Sequence, residues 1–389
     1  MDYDLISVDD HIDLEHLPAD MWTSRLPSAL RERGPRVVEE RDGAHAWVCD
    51  GRRWGSWPGA VPRGGAPRRP FRTALERGGV YGPGVLRPTI PELRVADMTR
   101  DGVEASFMYG PIQAFACEDP ELRRAIHRAY IEWLAELCSA DPGRLFGVAA
   151  LPSEPDDLEA AIAELRRIGP EGRLKQVNFL VGRARQLVEP SWAAAEASGL
   201  VVSFQVGGAS PGRALAELSN EHPSDVFAFS KAFITAFLDT VHGLLARGIL
   251  ERHPGVRVVL AEVGLGWLPW LVHEMDYRYE RLVSIRDYWA FRGGVHLSMP
   301  PSEVWRRSLW VAFQDDPVGL AQVEPCNEDR LLWAADSPHP DSTFPDSRRI
   351  AEAQTARLTE AQRRKVLRDN ALALYGLGDR SGTGEGEGR

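Results

Sequence analysis

Eight short apolar, β-branched runs punctuate the chain: Leu5–Val8, Val103–Tyr109, Leu145–Leu151, Gln176–Leu180, Val201–Val206, Val256–Ala261, Leu309–Phe313 and Arg330–Ala334. Their near-continuous apolar character predicts strands buried on both faces, as in a parallel sheet. Amphipathic stretches lie between them and predict helices, among them Glu121–Ser139, Pro155–Ile168, Ser191–Ala197, Val226–Arg252 and Trp267–Ile285. Strands and helices alternating in this way predict an α/β fold, a (β/α)8 barrel. A doubly wound open sheet is the structural rival, because strand number alone does not separate the two.

A barrel needs only about 250 residues, and the chain has 389. Most of the surplus falls between the first strand and a helix at Pro91–Arg100. Residues 22–90 are rich in Gly, Pro, Arg and Trp, with a hairpin pattern at Ala46–Cys49 and Arg53–Trp57. An insertion leaving the C-terminal end of a barrel strand overhangs the mouth, so a cap is expected there. The division predicted is one barrel domain over residues 1–377 carrying this cap, then a polar Gly/Glu tail over 378–389, expected to be disordered. No internal repeat is evident.

Composition narrows the function. The chain is 43% hydrophobic and 26% charged, which is ordinary for a soluble globular protein. Its net charge of −10 and pI near 5.6 argue against nucleic acid as the main partner. No apolar run approaches the ~20 residues of a membrane span. The opening Met1-Asp2-Tyr3-Asp4 has neither the basic nor the apolar region of a signal peptide, so a cytoplasmic setting is expected. Cys49, Cys117, Cys138 and Cys326 show no paired spacing and read as reduced thiols.

The polar residues that interrupt the apolar pattern fall at strand ends, where a barrel keeps its chemistry. Asp9-Asp10-His11 follows the first strand, Gln205 ends the fifth, Glu262 follows the sixth, and Asp336-Ser337-Pro338-His339 follows the last. Asp9 and His11 stand two residues apart, so their side chains point the same way into the mouth. Asp336 comes round beside them once the barrel closes. Two carboxylates and one imidazole suit a divalent metal ion, with positions left open for water or substrate. Turn capping is the plainer alternative for Asp9, His11 and Asp336. His339 reads equally as a group orienting Asp336 or as a turn residue, and Gln205 equally as a buried amide or a ligand. Glu262 is too polar for a barrel strand end unless it is paired or functional.

Four elements in this order resemble the amidohydrolase superfamily, in the branch containing aminocarboxymuconate semialdehyde decarboxylase. They are Asp9-x-His11; the run from Pro190 through Trp192 and Gly199 to Leu200; His253-Pro254 through Glu262 to Trp267 and Pro269; and Asp336-Ser337-Pro338-His339-Pro340-Asp341. The resemblance implies one metal ion, zinc or manganese, held by Asp9, His11 and Asp336. Catalytic roles then fall to Asp336, Glu262 and His339, and the acid-x-His form of the first motif leans toward C–C lyase chemistry. As a hydrolase, Asp336 would deprotonate the attacking water; as a decarboxylase, it would protonate the ring carbon. The family places a histidine ligand after strand five, where this chain has Gln205. A neutral amide oxygen suits a hard ion such as Mn²⁺ or Mg²⁺ better than zinc.

Two further readings follow. Gln205 in place of histidine marks either a weakened metal site or a metal-free enzyme or binding protein on the same barrel. The pattern Gly208-Ala209-Ser210-Pro211-Gly212 resembles a serine-hydrolase nucleophile elbow, but Pro211 removes the N–H that an oxyanion hole requires. Lys175 begins the fourth strand, the wrong end for a lysine bridging two metals. The basic run Arg63–Arg72 reads as solvated cap surface, and Trp267 with Trp270 as core packing at a helix start. The partner expected is a small carboxylated or cyclic molecule, with no nucleic acid or membrane, and the assembly expected is an isologous homodimer.

Overall fold

The structure is a computed structural model that describes residues 4–57, 86–111, 117–180, 188–205, 225–281 and 297–378. The barrel strands are β1 (Ile6–His11), β5 (Ala105–Tyr109), β6 (Leu145–Ala150), β7 (Gln176–Leu180), β8 (Val201–Gln205), β9 (Arg257–Leu260), β10 (Leu309–Phe313) and β11 (Leu331–Trp333). Strands β2 (Arg36–Glu39), β3 (His45–Cys49) and β4 (Arg52–Ser56) form a separate antiparallel sheet. The eight barrel strands pair in parallel in chain order. The first and last meet through His11 N donating to Ser337 O (2.8 Å), Asp336 N to Asp9 O (2.9 Å) and Ala335 N to Ser7 Oγ (2.8 Å). This seam favours the barrel over the open sheet.

Two apolar layers hold the barrel together. Ile6, Val8, Phe107, Val148, Val259 and Leu332 fill the interior. The helix Asn370–Tyr375 contributes Tyr375, whose ring lies 4.0 Å from that of Phe107. The outward faces of the strands pack beneath the surrounding helices. Gly147 permits one such contact: a Cβ there would lie 2.6 Å from Leu134 of the helix Pro120–Cys138. That helix begins at Asp119, whose carboxylate accepts from Glu121 N and Leu122 N.

The predicted strands recur within a residue or two at most ends, with instructive differences. Asp9, Asp10 and His11 lie inside β1 rather than after it, because β5 continues to pair with the chain as far as His11. The predicted helix Val226–Arg252 divides into Asp225–Ala246 and Ile249–Arg252 at Gly248, whose φ of 64° breaks the helix. Trp270 is 62% exposed, so the expected Trp267–Trp270 core pair does not form; position 270 faces away from the barrel, while half-buried Trp267 bonds through Nε1 to Val263 O (2.9 Å).

The hairpin expected within residues 22–90 is present as β3–β4, and β2 extends it beyond what the sequence reading found. Trp22, Trp47 and Trp54 meet edge to face, with centroids 5.1 and 5.9 Å apart. Trp47 and Trp57 donate through Nε1 to the carbonyls of Leu14 and Leu17 (2.9 and 2.8 Å), fastening the small sheet to the segment that leaves β1. Arg63–Arg72, Ser210 with its flanking glycines, and residues 379–389 lie outside the described residues.

Candidate metal centre at the barrel mouth

A bulge in β1 sets up the site. Ile6 and Ser7 pair with Ala105 and Ser106, yet Asp10 and His11 pair with Met108 and Tyr109. Between these pairs β1 spends one residue more than β5. The extra residue inverts the alternation. Ile6 and Val8 face the interior, so an unbroken strand would send Asp10 inward after them. Instead Asp9 and His11 face the lumen, where both meet Gln205 of β8, a strand on the far side of the sheet.

Asp336 and His339 reach the same point from the segment after β11. His11 Nε2 lies 2.9 Å from Asp336 Oδ1 and 3.4 Å from Asp9 Oδ1. His339 Nδ1 lies 2.9 Å from the same Asp336 oxygen, and its ring stacks on His11 with centroids 3.7 Å apart. Gln205 Nε2 stands 3.0 Å from Asp9 Oδ1 and 2.9 Å from His11 Nε2. Asp9, His11, Gln205 and Asp336 are all buried. Asp336 (φ 58°) and Glu262 (φ 60°) both hold left-handed backbone conformations, a strained state for non-glycine residues that concentrates at functional sites.

The donor set fits a divalent cation. Two imidazole nitrogens crowd Asp336 Oδ1, while Oδ2 has no hydrogen-bond partner among the described residues. A buried carboxylate with free lone pairs is costly unless a cation takes them. One ligand atom from each of His11, Asp336 and His339 lies within 4.8 Å of the others. Asp9 flanks this triad, and Gln205 presents an amide to Asp9 and His11.

Charges in the cluster oppose burial. Burial and the neighbouring His339 lower the His11 pKa, but hydrogen bonding to Asp336 and Asp9 outweighs them and lifts it to about 10. Burial likewise resists charge on His339, which Asp336 and Asp13 nevertheless hold well above the usual imidazole range. Asp336 stays well below the usual carboxylate range because His339 and His11 overcome its burial. Asp9 is raised to about 6, by burial first and by the Asp336 charge, with His11 pulling the other way. Glu262 is pushed up to about 8 by burial and then by the Asp336 charge. An incoming metal ion must displace the imidazole protons, so its affinity falls in acid.

The sequence reading placed Asp9, His11, Asp336, Gln205 and His339 in one neighbourhood, and the structure brings them together. Glu262 lies at the same mouth, where it lines a cavity of about 280 Å³ with Val263, Phe313, Gln314, Asp315 and Asp341. Lys175 precedes β7, at the opposite end of the barrel. Three participants were missed. Asp13 reaches His339 Nε2 (3.4 Å), and its position two residues beyond His11 was an available clue. Asp10, on the outward face of β1, and Arg94, on the helix Pro91–Asp101, are treated below.

Eight parallel strands with acid and imidazole groups gathered at their C-terminal ends define a (β/α)8 barrel with a candidate metal site at its mouth. The chain belongs to the amidohydrolase family, whose family model matches residues 36–377. That match begins after Asp9 and His11. Gamma-resorcylate decarboxylase from Rhodococcus jostii strain RHA1 is 27% identical over 288 residues, 66% of this chain and 79% of that protein. An amidohydrolase from Mycobacterium avium subsp. paratuberculosis K-10 superposes with a TM-score of 0.71 at 20% identity, covering 97% of this chain and 100% of that one. Dihydroxybenzoic acid decarboxylase from Polaromonas sp. JS666, solved with manganese and the inhibitor 2-nitroresorcinol, superposes with a TM-score of 0.59 at 16% identity, covering 97% and 98%. Among the described residues no helix is long and apolar enough to cross a membrane.

Proposed function

We propose that this protein is a metal-dependent, non-oxidative decarboxylase of a small carboxylated aromatic compound. The carrying observation is Asp336, buried at the barrel mouth with two imidazoles at Oδ1 and Oδ2 left open. His11 and Asp336 would hold the ion, with His339 and Asp9 on either side and Gln205 adjacent. Manganese is preferred over zinc because the set is rich in carboxylate and amide donors, and a decarboxylase of the same fold was solved with manganese. The relative of known activity favours decarboxylation over C–N or C–O hydrolysis. An isologous homodimer in the cytoplasm accompanies this reading.

Bound there, the ion would supply positive charge that draws the substrate carboxylate and a neighbouring oxygen. In the reaction the bond from ring carbon to carboxyl carbon breaks, its electron pair stays on the ring carbon, and carbon dioxide leaves. The ring carbon then takes a proton. Asp336 would relay it from the charged His339 imidazole, which Asp13 steadies. Glu262, proton-bearing at neutral pH, stands by the cavity as a second donor.

The test is carbon dioxide release from a panel of hydroxylated benzoates by manganese-loaded protein, with the Asp336→Asn variant beside it. Loss of turnover on the order of 1,000-fold is expected in a variant that remains folded by circular dichroism. Undiminished turnover in Asp336→Asn, or none from the wild type on any aromatic carboxylate, overturns the reading. A second reading, a metal-free protein, draws on the Gln205 amide between Asp9 and His11. Elemental analysis after manganese loading separates the two.

A further inference from the structure

We infer that Asp10 and Arg94, which never reach the barrel mouth, form a lock that turns Asp9 and His11 into it. The inference rests on the metal-centre reading and deepens it by naming the residues that position the ligands.

Asp10 lies between Asp9 and His11 but faces outward, where its carboxylate is fully engaged. Ser106 Oγ donates to Oδ2, Ser337 N donates to Oδ1 (2.9 Å), and Arg94 Nη2 stands 3.7 Å from Oδ2. Arg94 comes from the helix Pro91–Asp101. Its Nη1 donates to the backbone carbonyl of His11 (2.9 Å) and its Nη2 to Ser106 Oγ (3.3 Å). Both charged groups are buried, Asp10 at 2% and Arg94 at 6% exposure.

Each bond acts on the geometry of the site. The Arg94 contact fixes the His11 peptide, and the Ser337 contact fixes the residue next to Asp336. The Ser106 contact ties Asp10 to β5 beside the bulge. The competing arrangement is an unbulged β1, in which Asp10 follows Ile6 and Val8 inward while Asp9 and His11 turn out. In that register Asp10 loses all three partners, and Arg94 is left as a buried cation without its carboxylate. Such unpaired burial is strongly disfavoured. The outward lock therefore selects the bulged register, and the bulge presents the ligands. Asp10 and Arg94 are positioning residues.

The experiment is titration of chelator-stripped protein with Mn²⁺, comparing wild type with Asp10→Asn, Arg94→Met, Arg94→Lys and Ser106→Ala, at a temperature where each is folded. Asp10→Asn and Arg94→Met should weaken Mn²⁺ binding at least about tenfold in the folded protein, as lost outer support of metal ligands does. Arg94→Lys should recover part of the loss. Should the charge variants fail to fold, Ser106→Ala, which removes the bonds to Asp10 and Arg94 but leaves both charges in place, carries the test with a smaller loss in the same direction. A purely structural role predicts a lower melting temperature with Mn²⁺ affinity unchanged, and that result overturns the lock. If the wild type binds no Mn²⁺, the metal reading fails while the lock is judged by the crystal structure of Asp10→Asn. There, loss of the bulge or outward rotation of Asp9 and His11 supports it, and an unaltered β1 refutes it.

Discussion

At the scale of single residues, the metal reading turns on Gln205. Its Nε2 lies within hydrogen-bonding distance of both Asp9 Oδ1 and His11 Nε2. The Asp9 contact suits an amide N–H facing a carboxylate, and it competes with a metal for the same electrons. An imidazole at this position offers a lone pair instead and is the stronger ligand for zinc. Gln205→His should therefore tighten Zn²⁺ binding by at least about tenfold, measured by competition with a chromophoric chelator. Unchanged affinity would mean that Gln205 lies outside the coordination sphere. Sequence reading found this residue by its place at a strand end, but its two partners belong to a strand on the other side of the barrel.

At the scale of elements, the helix Pro120–Cys138 shows how a buried group couples packing to pH. His127 lies against β6, where its Nδ1 donates to Ala150 O (2.7 Å). A carbonyl can only accept, so the contact fixes the tautomer. Burial lowers the His127 pKa to about 4, the Ala150 bond opposing it. The unfolded chain binds a proton there near pH 6.5, and the folded chain does so only near pH 4. Stability from this group is therefore present above the unfolded value and is lost as pH falls toward the folded one. Denaturant unfolding should show His127 costing roughly 2 kcal/mol between pH 6.5 and about pH 5. The His127→Gln variant should lack that share of the pH dependence, and an identical slope in both proteins would refute it. Sequence alone gives His127 no role, because its carbonyl partner lies in the next strand.

At the scale of the molecule, the candidate ligands come from distant stretches of the chain and meet only when the barrel is closed. Asp9 and His11 belong to β1, while Asp336 and His339 follow β11. A metal bound among them ties the seam already made by His11 N to Ser337 O and Asp336 N to Asp9 O. Free Mn²⁺ a hundredfold above its dissociation constant should add about 2.7 kcal/mol to unfolding. Calorimetry should then record a melting temperature several degrees higher, reversed by a chelator. In Asp336→Asn the metal-dependent rise should vanish while the transition itself survives. A rise of equal size in that variant would place the ion elsewhere.

The order of strands and helices was legible in the sequence because apolar periodicity is local: each buried run reports its own surroundings. The gathering of acids and imidazoles at strand ends was legible for the same reason, since a polar residue ending an apolar strand stands out without its neighbours. That Asp9 and His11 share a face and point into the mouth was also read from their spacing, but the bulge that turns that face inward was not. Asp9 and His11 turn inward only because β1 gains a residue against β5, and that bulge is a property of two strands and of Arg94 from a helix. The pairing of His339 with Asp13, and of His11 with Asp336, likewise exists only once the last strand meets the first. Distances between groups more than 300 residues apart are set by closure of the sheet, which no local stretch of sequence contains.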